Sequence, residues 1–544
     1  MPSSSDRLKH WGWGRESQAP DRAAVEALAP LVRERLGLEP QPVEEPVPLE
    51  AIELPEPRVK APASLAGVLS AGRHERVSRA LGKAYRDVVR GMRGEIEHAP
   101  DLVALPRTEQ DVERVLTWCA EAGLAVIPFG GGTSVVGGVE PRLPREYPGV
   151  VTLDVRGLDR VLELDEVSRA ALIETGATGP RLEGQLRERG YTLRFFPQSF
   201  ELSTLGGWIA TRAGGHFATR LTHIDDVVES IRALTPSGPW ESRRLPGSGA
   251  GPSPDRLLLG SEGILGVITR AWVRVLERPR FRASCPVSFP GFAEGAEAVR
   301  ELVQAGLDPA NCRLLDPAEA AISGASSGER ALLVLGFESA HHPVDDRLHL
   351  ALEVARAHSG EPGEARTSAE EGERGASGDA AGAWRQAFLA MPYLRDSLVQ
   401  LGILTETFET AVTWDRFPEL HATVSETARR AAAEASGAPT EGPGSPRVTC
   451  RLTHVYPDGP APYFTVLAPA RRGSEIEQWD AIKAAVSEAI VAAGGTITHH
   501  HAVGRDHLPW YERQRPDPFA AALTAAKRAV DPGGVLNPGV LIDP

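Results

Sequence analysis

The stretch PFGGGTSVVGG, Pro128–Gly138, directly follows an apolar run that is typical of a β-strand. Its three consecutive glycines, Gly130 to Gly132, permit left-handed backbone geometry and close approach to a ligand. Successive backbone N–H groups and the hydroxyls of Thr133 and Ser134 can converge on phosphate oxygens. The stretch has neither the GxGxxG register of a dinucleotide fingerprint nor the lysine of a Walker loop. It therefore predicts a pyrophosphate cradle of another type, and an ordinary hairpin or bend is the alternative.

Three further stretches favour a cofactor loop over a bend. They are PQSFELSTLGGWIATRAGG (Pro197–Gly215), GSEGILGVIT (Gly260–Thr269) and DPGGVLNPGVL (Asp531–Leu541). Each has small residues and hydroxyls where backbone can lie against a flat ring or a diphosphate. Together with the glycine loop they indicate a site for a large cofactor.

The chain alternates short β-like runs with helical patterns, which is typical of an α+β protein. At 544 residues it is too long for a single core. We expect a helical and proline-rich strap at 1–97 and a cofactor domain at 98–280. A second mixed domain is expected at 281–504, and a C-terminal segment that returns to the cofactor at 505–544. Prolines at 39–63 exclude helix from that part of the strap and predict an extended course, and a basic helical segment is expected after it at 73–95.

Composition excludes several classes of protein. The net charge of −14, from 59 basic and 73 acidic residues, disfavours coating of nucleic acid, which requires a cationic face. The four cysteines are far apart and form no CxxC pair, which indicates a reducing compartment. No apolar run reaches the roughly 18 residues of a spanning helix, and no signal-peptide core is present. We therefore expect a cytoplasmic protein without a nucleic-acid partner, which would meet a lipid substrate at a membrane surface.

In this order and spacing, the glycine-rich stretches resemble flavoproteins of the vanillyl-alcohol oxidase type. The resemblance implies a two-lobed FAD-binding domain with FAD as the cofactor. It also implies that FAD is held noncovalently, because the glycine loop offers no histidine for a covalent link. The residues implied to bind FAD are Pro128, Gly130, Gly131, Gly132, Thr133, Ser134, Val135, Gln198, Ser199, Glu201, Ser203, Thr204, Thr211, Arg212, Ala213, Gly214, Glu262, Gly263, Ile264, Leu265, Gly266 and Val267.

Within that superfamily, the chain is similar over nearly its whole length to the alkyldihydroxyacetonephosphate synthase family. The matching segments are GWG near the N-terminus, STLGGWIATRAGG, YLRDSLVQLGILTETFETAVTWD, CRLTHVYPDGPAPYF and THHHAVG. The resemblance implies a cap domain built on an antiparallel sheet with helices. It also implies an ether-lipid enzyme that exchanges the acyl group of acyl-dihydroxyacetone phosphate for a long-chain alcohol. That exchange would proceed through an adduct at flavin N5 with no net redox change.

The resemblance also implies roles for two residues of the second domain. Arg395, in PYLRDS, is implied to bind the substrate phosphate, for which a planar fork of donors is well suited. Without that context it would be interpreted as a helix-surface arginine paired with Asp396. Tyr463, in PAPYF, is implied to act as the catalytic acid or base. A lone tyrosine there would instead be a buried strand aromatic with a satisfied hydroxyl.

The triplet His499, His500 and His501 is implied to move protons beside the flavin and to fix its ring. A metal site is the alternative. In a strand, the side chains of His499 and His501 would lie on one face and that of His500 on the other. The three could bind one metal only if the backbone were bent. We therefore expect no metal.

A second enzyme class stays open. FAD-dependent 2-hydroxy-acid dehydrogenases or oxidases of the D-lactate or glycolate type share both domains, but carry a GHxGDGNxH stretch whose histidines hold a metal. Here His454 remains and Tyr463 stands where the second histidine would be, which favours the synthase. The synthase family also has an arginine in the loop before GSEG, and Arg243 and Arg244 lie several residues too early for it. The strap is expected to dock on a partner subunit, in a homodimer, or on a membrane surface.

Overall fold

A computed structural model of the chain describes residues 7–215, 217–368 and 380–542, with the backbone alone at 380–389. The N-terminal strap contains two short helices and a π-helical turn: α1 (Arg22–Glu26), α2 (Ala29–Leu31) and Val32–Leu36. The Asp21 carboxylate caps α1 by accepting a hydrogen bond from the Ala24 N–H at 2.8 Å. The proline-rich part that follows contains no α-helix or strand. It runs along the second domain, where the Gln41 N–H donates to the Leu401 carbonyl at 2.8 Å.

The first lobe is built on a four-stranded sheet. Its elements are β1 (Leu69–Ser70), α3 (Arg73–Val77), α4 (Tyr85–Arg93), β2 (Leu102–Ala104), α5 (Glu109–Ala122), β3 (Ala125–Phe129) and β4 (Val150–Asp154). The strand order is β1–β2–β4–β3, with β4 parallel to both β2 and β3. β4 (VVTLD) is buried along its whole length, as is usual for a strand with parallel neighbours on both sides, and its apolar residues are Val150, Val151 and Leu153. The glycine loop leaves the carboxyl end of β3, where ligands of parallel sheets are usually bound.

The second lobe is a five-stranded antiparallel sheet, in the order β5–β6–β10–β8–β9. Its elements are β5 (Val161–Asp165), β6 (Ala170–Glu174), α6 (Gly179–Arg187), β7 (Tyr191–Thr192), α7 (Leu205–Thr211), β8 (Val228–Thr235), β9 (Gly238–Glu241), α8 (Asp255–Leu258), β10 (Val267–Arg274) and β11 (Leu276–Glu277). β7 and β11 pair in a separate ribbon. α7 begins at Thr204, whose hydroxyl accepts a hydrogen bond from the Gly207 N–H.

The second domain, here called the cap, contains one large antiparallel sheet. Its strands are β12 (Phe281–Phe289), β13 (Asn311–Leu315), β14 (Ala331–Ser339), β15 (Glu361–Pro362), β16 (Arg366–Ser368), β17 (Ile403–Glu409), β18 (Arg447–Val455) and β19 (Pro460–Pro469). Its helices are α9 (Phe292–Gln304), α10 (Pro317–Ile322), α11 (Asp345–Ala357), α12 (Ala380–Gln400), α13 (Phe417–Ser436) and α14 (Glu475–Ala492). The order is β15–β12–β14–β13–β18–β19–β17, with β16 beside β12.

The two faces of the cap sheet differ in character. On β19, Phe464 and Val466 point into the apolar core that lies under the helices. Tyr463 and Thr465 alternate with them and point to the opposite face, as the two-residue period of a strand requires. That opposite face is turned toward the glycine loop and carries the polar side chains of the site.

The C-terminal segment returns to the first lobe. After α15 (Leu508–Gln514) and α16 (Asp517–Val530), the tail lies beside β3. The Val126 N–H donates to the Val535 carbonyl at 2.7 Å, and the Asn537 N–H donates to the Val126 carbonyl at 2.8 Å. The predicted α+β architecture, with two lobes, an antiparallel cap and an N-terminal strap, is confirmed. None of the helices in the described part of the chain is both long and apolar enough to cross a membrane.

Candidate active site

One continuous cavity lies between the two lobes and the cap. It is lined by the glycine loop, the 197–215 stretch, the turn at Glu262, the tail and the polar face of the cap sheet. Most of the predicted site residues meet there: Pro128, Gly130, Gly131, Gly132, Thr133, Ser134, Val135, Gln198, Ser199, Ser203, Thr204, Thr211, Ala213, Gly214, Glu262, Gly263, Gly266, Val267, Arg395, Tyr463, His500 and His501. Residues that are far apart in sequence therefore form one site.

Five predicted residues lie outside this lining. The Glu201 carboxylate accepts a hydrogen bond from the Tyr393 hydroxyl of the cap. Arg212 pairs with Asp225 at 2.8 Å. Ile264 and Leu265 are buried in the core of the second lobe, and His499 forms a hydrogen bond with the Tyr456 hydroxyl. The sequence pattern identified these segments, but it could not show which side chains of each segment turn away from the cavity.

The glycine loop fits the phosphates of a large cofactor. A Cβ on Gly131 would lie 2.2 Å from the Leu202 carbonyl oxygen, and Gly132 has φ 65°, so neither position accepts a larger residue without strain. The Ser134 hydroxyl accepts a hydrogen bond from the Gly138 N–H at 3.0 Å, which closes the loop. The loop therefore presents a cradle of backbone that a side chain would fill, as expected for an FAD pyrophosphate.

Glu262 and the tail close the far side of this cradle. The buried Glu262 carboxylate accepts hydrogen bonds from the N–H groups of Val503 and Gly504, at 2.9 and 2.8 Å. Burial raises the pKa of Glu262 to about 7. The Asn537 side chain donates to the carbonyl oxygens of Glu262 and Gly138 at 2.7 and 3.2 Å. Asn537 also lines the cavity, and its position in LNPG was the signal available in the sequence.

The histidine triplet lies in a bend that is centred on one carboxylate, Glu409. The N–H groups of His499 and His500 donate to Glu409 Oε2 at 2.5 and 3.0 Å, and the His501 N–H donates to Oε1 at 2.8 Å. The Thr498 hydroxyl donates to the same Oε1 at 2.5 Å. The triplet is therefore not a strand, and its side chains do not alternate between two faces. Burial raises the pKa of Glu409 to about 7.

His500 and His501 face the cavity, together with Tyr463. The Tyr463 ring lies 6.1 Å from that of His500 and 5.6 Å from that of His501, measured between centroids. Burial lowers the pKa of His501 to about 3 and that of His500 well below its ordinary value. Both rings are therefore neutral at physiological pH, and each can accept a hydrogen bond through one ring nitrogen. His499 instead contacts the Tyr456 hydroxyl through Nε2, at 2.8 Å.

A metal could be held by part of this cluster. Ligand atoms of His454, His499 and His500 lie within 4.8 Å of one another, and theirs is the one such group among the residues that the structure describes. The backbone at the triplet is bent, which is the condition that the sequence analysis set for a shared metal, and His499 and His500 lie on the same side. His454 Nε2 is bound to the Gly215 carbonyl at 3.0 Å, and its Nδ1 is buried without a hydrogen-bond partner.

Arg451 also lines the cavity and was not predicted from the sequence. Its guanidinium carbon lies 3.9 Å from the centroid of the Tyr463 ring, and its Nη1 donates to Glu319 Oε1 at 2.6 Å. Both partners of this ion pair are nearly buried. Burial raises the pKa of Tyr463, and the charge of Arg451 opposes that shift. The signal was present, because an arginine alternated with Thr449 and Thr453 on a β-strand.

Arg395 lines the cavity, and its Nη1 donates to the Lys83 carbonyl at 3.0 Å. It does not pair with Asp396, since that carboxylate accepts a hydrogen bond from Lys9 at 2.5 Å. The alternative of a surface arginine paired with its neighbour is therefore wrong. Arg244 pairs with Asp165 and Glu229 away from the cavity, so the loop before GSEG contributes no arginine from that position.

One end of the cavity is apolar and is formed partly by the N-terminal strap. Six of its lining residues belong to a single apolar cluster: Leu28, Val32, Leu36, Ile322, Leu398 and Leu467. Leu31 and Leu394 also line the cavity and are 45% and 37% exposed. This apolar end, with partly exposed leucines beside it, has the character of a binding site for a hydrocarbon chain.

Comparison with known proteins finds families that match each of the two domains and solved structures that share the fold. The family described as FAD binding domain matches residues 100–242, and the family described as FAD linked oxidases, C-terminal domain, matches residues 278–541. The chain is 29% identical to an alkyldihydroxyacetonephosphate synthase of Dictyostelium discoideum over 86% of this chain and 77% of that protein. It is 24% identical to a glycolate oxidase subunit of Bacillus subtilis, over 81% and 88%. A solved alkyldihydroxyacetonephosphate synthase structure superposes with a TM-score of 0.78 at 24% identity, covering 97% of this chain and 98% of that one.

Proposed function

We propose that the chain is an alkylglycerone-phosphate synthase that uses FAD, since it matches the FAD-binding and FAD-linked oxidase families and is similar over most of its length to alkyldihydroxyacetonephosphate synthases. It would exchange the acyl group of acyl-dihydroxyacetone phosphate for a long-chain alcohol. One observation carries the proposal: Arg395, Tyr463 and His501 converge in a single cavity between an FAD cradle and an apolar end. Such a substrate pair requires a cationic site for the phosphate headgroup, a group that moves a proton, and an apolar site for the hydrocarbon chains.

The reaction is a substitution at one carbon of the headgroup. The bond from that carbon to the acyl oxygen breaks and releases a carboxylate. A new bond forms to the alcohol oxygen, and the hydroxyl proton of the alcohol passes to a base. Bound FAD supplies an electrophilic centre at N5 and takes up no net electrons. The residues of this chain must therefore hold the phosphate, accept and return a proton, and exclude water.

Arg395 is the residue proposed to hold the phosphate. Its guanidinium is fixed on the Lys83 carbonyl by one nitrogen, which leaves its other N–H donors for the ligand. A planar fork of donors matches two phosphate oxygens. The headgroup would then lie between the FAD cradle and the cap sheet.

Tyr463 and the neutral rings of His500 and His501 are proposed to move the proton. Burial keeps each ring unprotonated at physiological pH, so each can accept a hydrogen bond from the group that carries the proton. Arg451, stacked on the Tyr463 ring, favours the charged form of the tyrosine and so makes its proton easier to transfer. Glu409 fixes the backbone of the triplet and thereby the distance of its rings from Tyr463.

The apolar end is proposed to take the acyl and alkyl chains. Leu31 and Leu394 are partly exposed beside it, and we propose that lipids enter there from a membrane surface. A cytoplasmic location and a homodimer that involves the strap stay predictions.

A second function is favoured by one observation, the cluster His454, His499 and His500. A metal held there would suit oxidation of a 2-hydroxy acid, with FAD accepting the electrons. Metal content of the purified protein and reduction of its flavin by D-lactate or glycolate test this alternative.

The proposed synthase activity is tested by product analysis. Purified protein carrying FAD is given acyl-dihydroxyacetone phosphate and hexadecanol, and the ether product and the released fatty acid are quantified. We expect the two products in equal amounts. Release of fatty acid without ether would indicate hydrolysis and would overturn the proposal.

A further inference from the structure

The sequence KHWGWG, Lys9–Gly14, packs against the turn of α12 that carries Arg395; we call this segment the N-terminal clasp. Lys9 Nζ donates to Asp396 Oδ2 at 2.5 Å, and the Trp13 N–H donates to the same oxygen at 2.8 Å. The side chains of Lys9 and Asp396 are 4% and 1% exposed. A buried ion pair of this kind costs several kcal/mol when one partner is removed, so the contact fixes the clasp to the helix.

The two glycines of the clasp are required by this contact. Gly12 has φ 61°, and a Cβ there would lie 2.3 Å from Asp396 Oδ2. Gly14 has φ 88°, and a Cβ there would lie 2.7 Å from Tyr393 Cε1. Tyr393 and Asp396 flank Arg395 in sequence. The GWG motif therefore brings backbone against the helix on both sides of the proposed phosphate-binding arginine.

The turn that carries Arg395 needs such support from outside the helix. Pro392 lies inside α12 and has no N–H, so the helix loses one internal hydrogen bond just before this turn. On one side, the Tyr393 hydroxyl ties the turn to the second lobe by donating to Glu201. On the clasp side, the support comes from Asp396.

A short chain of hydrogen bonds connects this turn to the FAD cradle. Arg395 Nη1 donates to the Lys83 carbonyl at 3.0 Å, and the Lys83 N–H donates to the Ser134 carbonyl of the glycine loop at 2.6 Å. The guanidinium is therefore set between the clasp and the cradle. Among the described residues, Trp13 of the clasp lines the cavity, whereas Lys9, Gly12 and Asp396 do not.

We propose that the N-terminal clasp, through Lys9 and Gly12, positions Arg395 and so sets the affinity for the phosphate of the substrate, although neither residue touches the phosphate. The inference rests on the proposed function, because it takes Arg395 as the phosphate ligand. Lys9, Gly12 and Asp396 are thus positioning residues. In an enzyme site, a shift of a positioning group by about 1 Å is enough to lower the reaction rate about 100-fold.

The test uses full-length protein loaded with FAD and titrated calorimetrically with dihydroxyacetone phosphate, and with dihydroxyacetone as the ligand without phosphate. The variants are Gly12→Ala, Lys9→Gln, Lys9→Arg and Arg395→Met. Gly67→Ala is the matched control, because Gly67 also lies in the N-terminal region and its Cβ would meet nothing within 4 Å.

We expect Gly12→Ala and Lys9→Gln to weaken dihydroxyacetone phosphate binding about tenfold or more, with FAD content unchanged. Lys9→Arg, which keeps the cation, should restore most of the affinity, and Gly67→Ala should match the unaltered protein. If Gly12→Ala does not fold, the two Lys9 variants decide.

Three results would overturn parts of the account in different ways. Weakening by Arg395→Met but not by the clasp variants would refute the clasp and leave the proposed function intact. No weakening by Arg395→Met would refute the phosphate site itself. Loss of FAD, or equal loss of affinity for dihydroxyacetone, in the clasp variants would show a general structural role and refute positioning.

Discussion

The guanidinium carbon of Arg451 lies 3.9 Å above the centre of the Tyr463 ring, in a part of the cap sheet where both side chains are almost fully buried. The ion pair with Glu319 holds the cation in place at 2.6 Å. The buried tyrosine therefore has a positive charge against its ring and two neutral histidines beside it. This arrangement suits a group that must give up and recover a proton.

Replacing Arg451 by lysine tests the stacked contact. Arg451→Lys keeps a positive charge near Glu319 but removes the planar group from the tyrosine ring. We expect turnover to fall about 30-fold, which corresponds to the roughly 2 kcal/mol of a desolvated cation–π contact, while bound FAD is retained. Arg244→Lys is the control, because Arg244 also stacks on an aromatic ring, that of Trp272, but away from the cavity. Equal rates in the two variants would remove Arg451 from the mechanism.

Replacing Tyr463 by phenylalanine removes only the hydroxyl. The fold and the bound FAD should persist, and turnover should fall about 100-fold or more, as for loss of a catalytic acid or base. Steady-state rates and the flavin absorbance per protein measure both effects. Tyr191→Phe, in the small ribbon of the second lobe, should be active at the ordinary rate. An unchanged rate for Tyr463→Phe would contradict the proposed role.

The Glu409→Gln variant tests whether one carboxylate orders the triplet. The amide has a single acceptor oxygen for four donors, so buried N–H groups of the bend would lose their partner at about 1–3 kcal/mol each. We expect a lower melting temperature together with a strong loss of turnover. Glu434→Gln, exposed on α13, should change neither quantity. Normal turnover in Glu409→Gln would show that the triplet keeps its geometry without the carboxylate.

The buried His454 predicts a pH dependence of stability. Burial lowers its pKa to about 3 in the folded chain, from an ordinary value of 6.5. As the pH falls below 6.5, His454 binds a proton in the unfolded chain but not in the folded chain. The free energy of unfolding therefore decreases between pH 6.5 and pH 3. Between pH 6.5 and 5 this one group contributes a loss of about 2 kcal/mol.

The measurement is the free energy of unfolding in denaturant at pH 7 and at pH 5, for the unaltered chain and for His454→Gln. The variant should lose less stability between the two values. His349→Gln, at an exposed position, should behave as the unaltered chain. Identical pH dependences in all three proteins would show that His454 is not held neutral by the fold.

The cofactor side of the site was predictable because its signals are local. A run of glycines after a strand, and small residues in the 197–215 stretch, report on backbone that must approach a ligand. Arg395 was also identified, but only through the resemblance, since a lone arginine next to an aspartate looks like a surface pair. In the structure Asp396 pairs with Lys9, 387 residues away in sequence, and not with Arg395.

The missed features depend on contacts that no local pattern contains. Glu409 meets the His499 backbone across 90 residues, and its role follows only from the bend that the chain makes there. Arg451 looked like one more polar residue on a strand until its register placed it on the face that carries Tyr463. The clasp is similar, because GWG has a clear turn signature but its partner lies in a distant helix.

The central claim is that the bound flavin serves an exchange without net oxidation or reduction. The most direct measurement is an anaerobic one, in which FAD-loaded protein receives acyl-dihydroxyacetone phosphate and hexadecanol while the flavin absorbance and the ether product are followed together. The account predicts steady formation of ether with the flavin oxidised again at the end, and no reduction in a parallel sample given D-lactate or glycolate. Lasting bleaching of the flavin by the hydroxy acid, with no ether formed in the first sample, would contradict it.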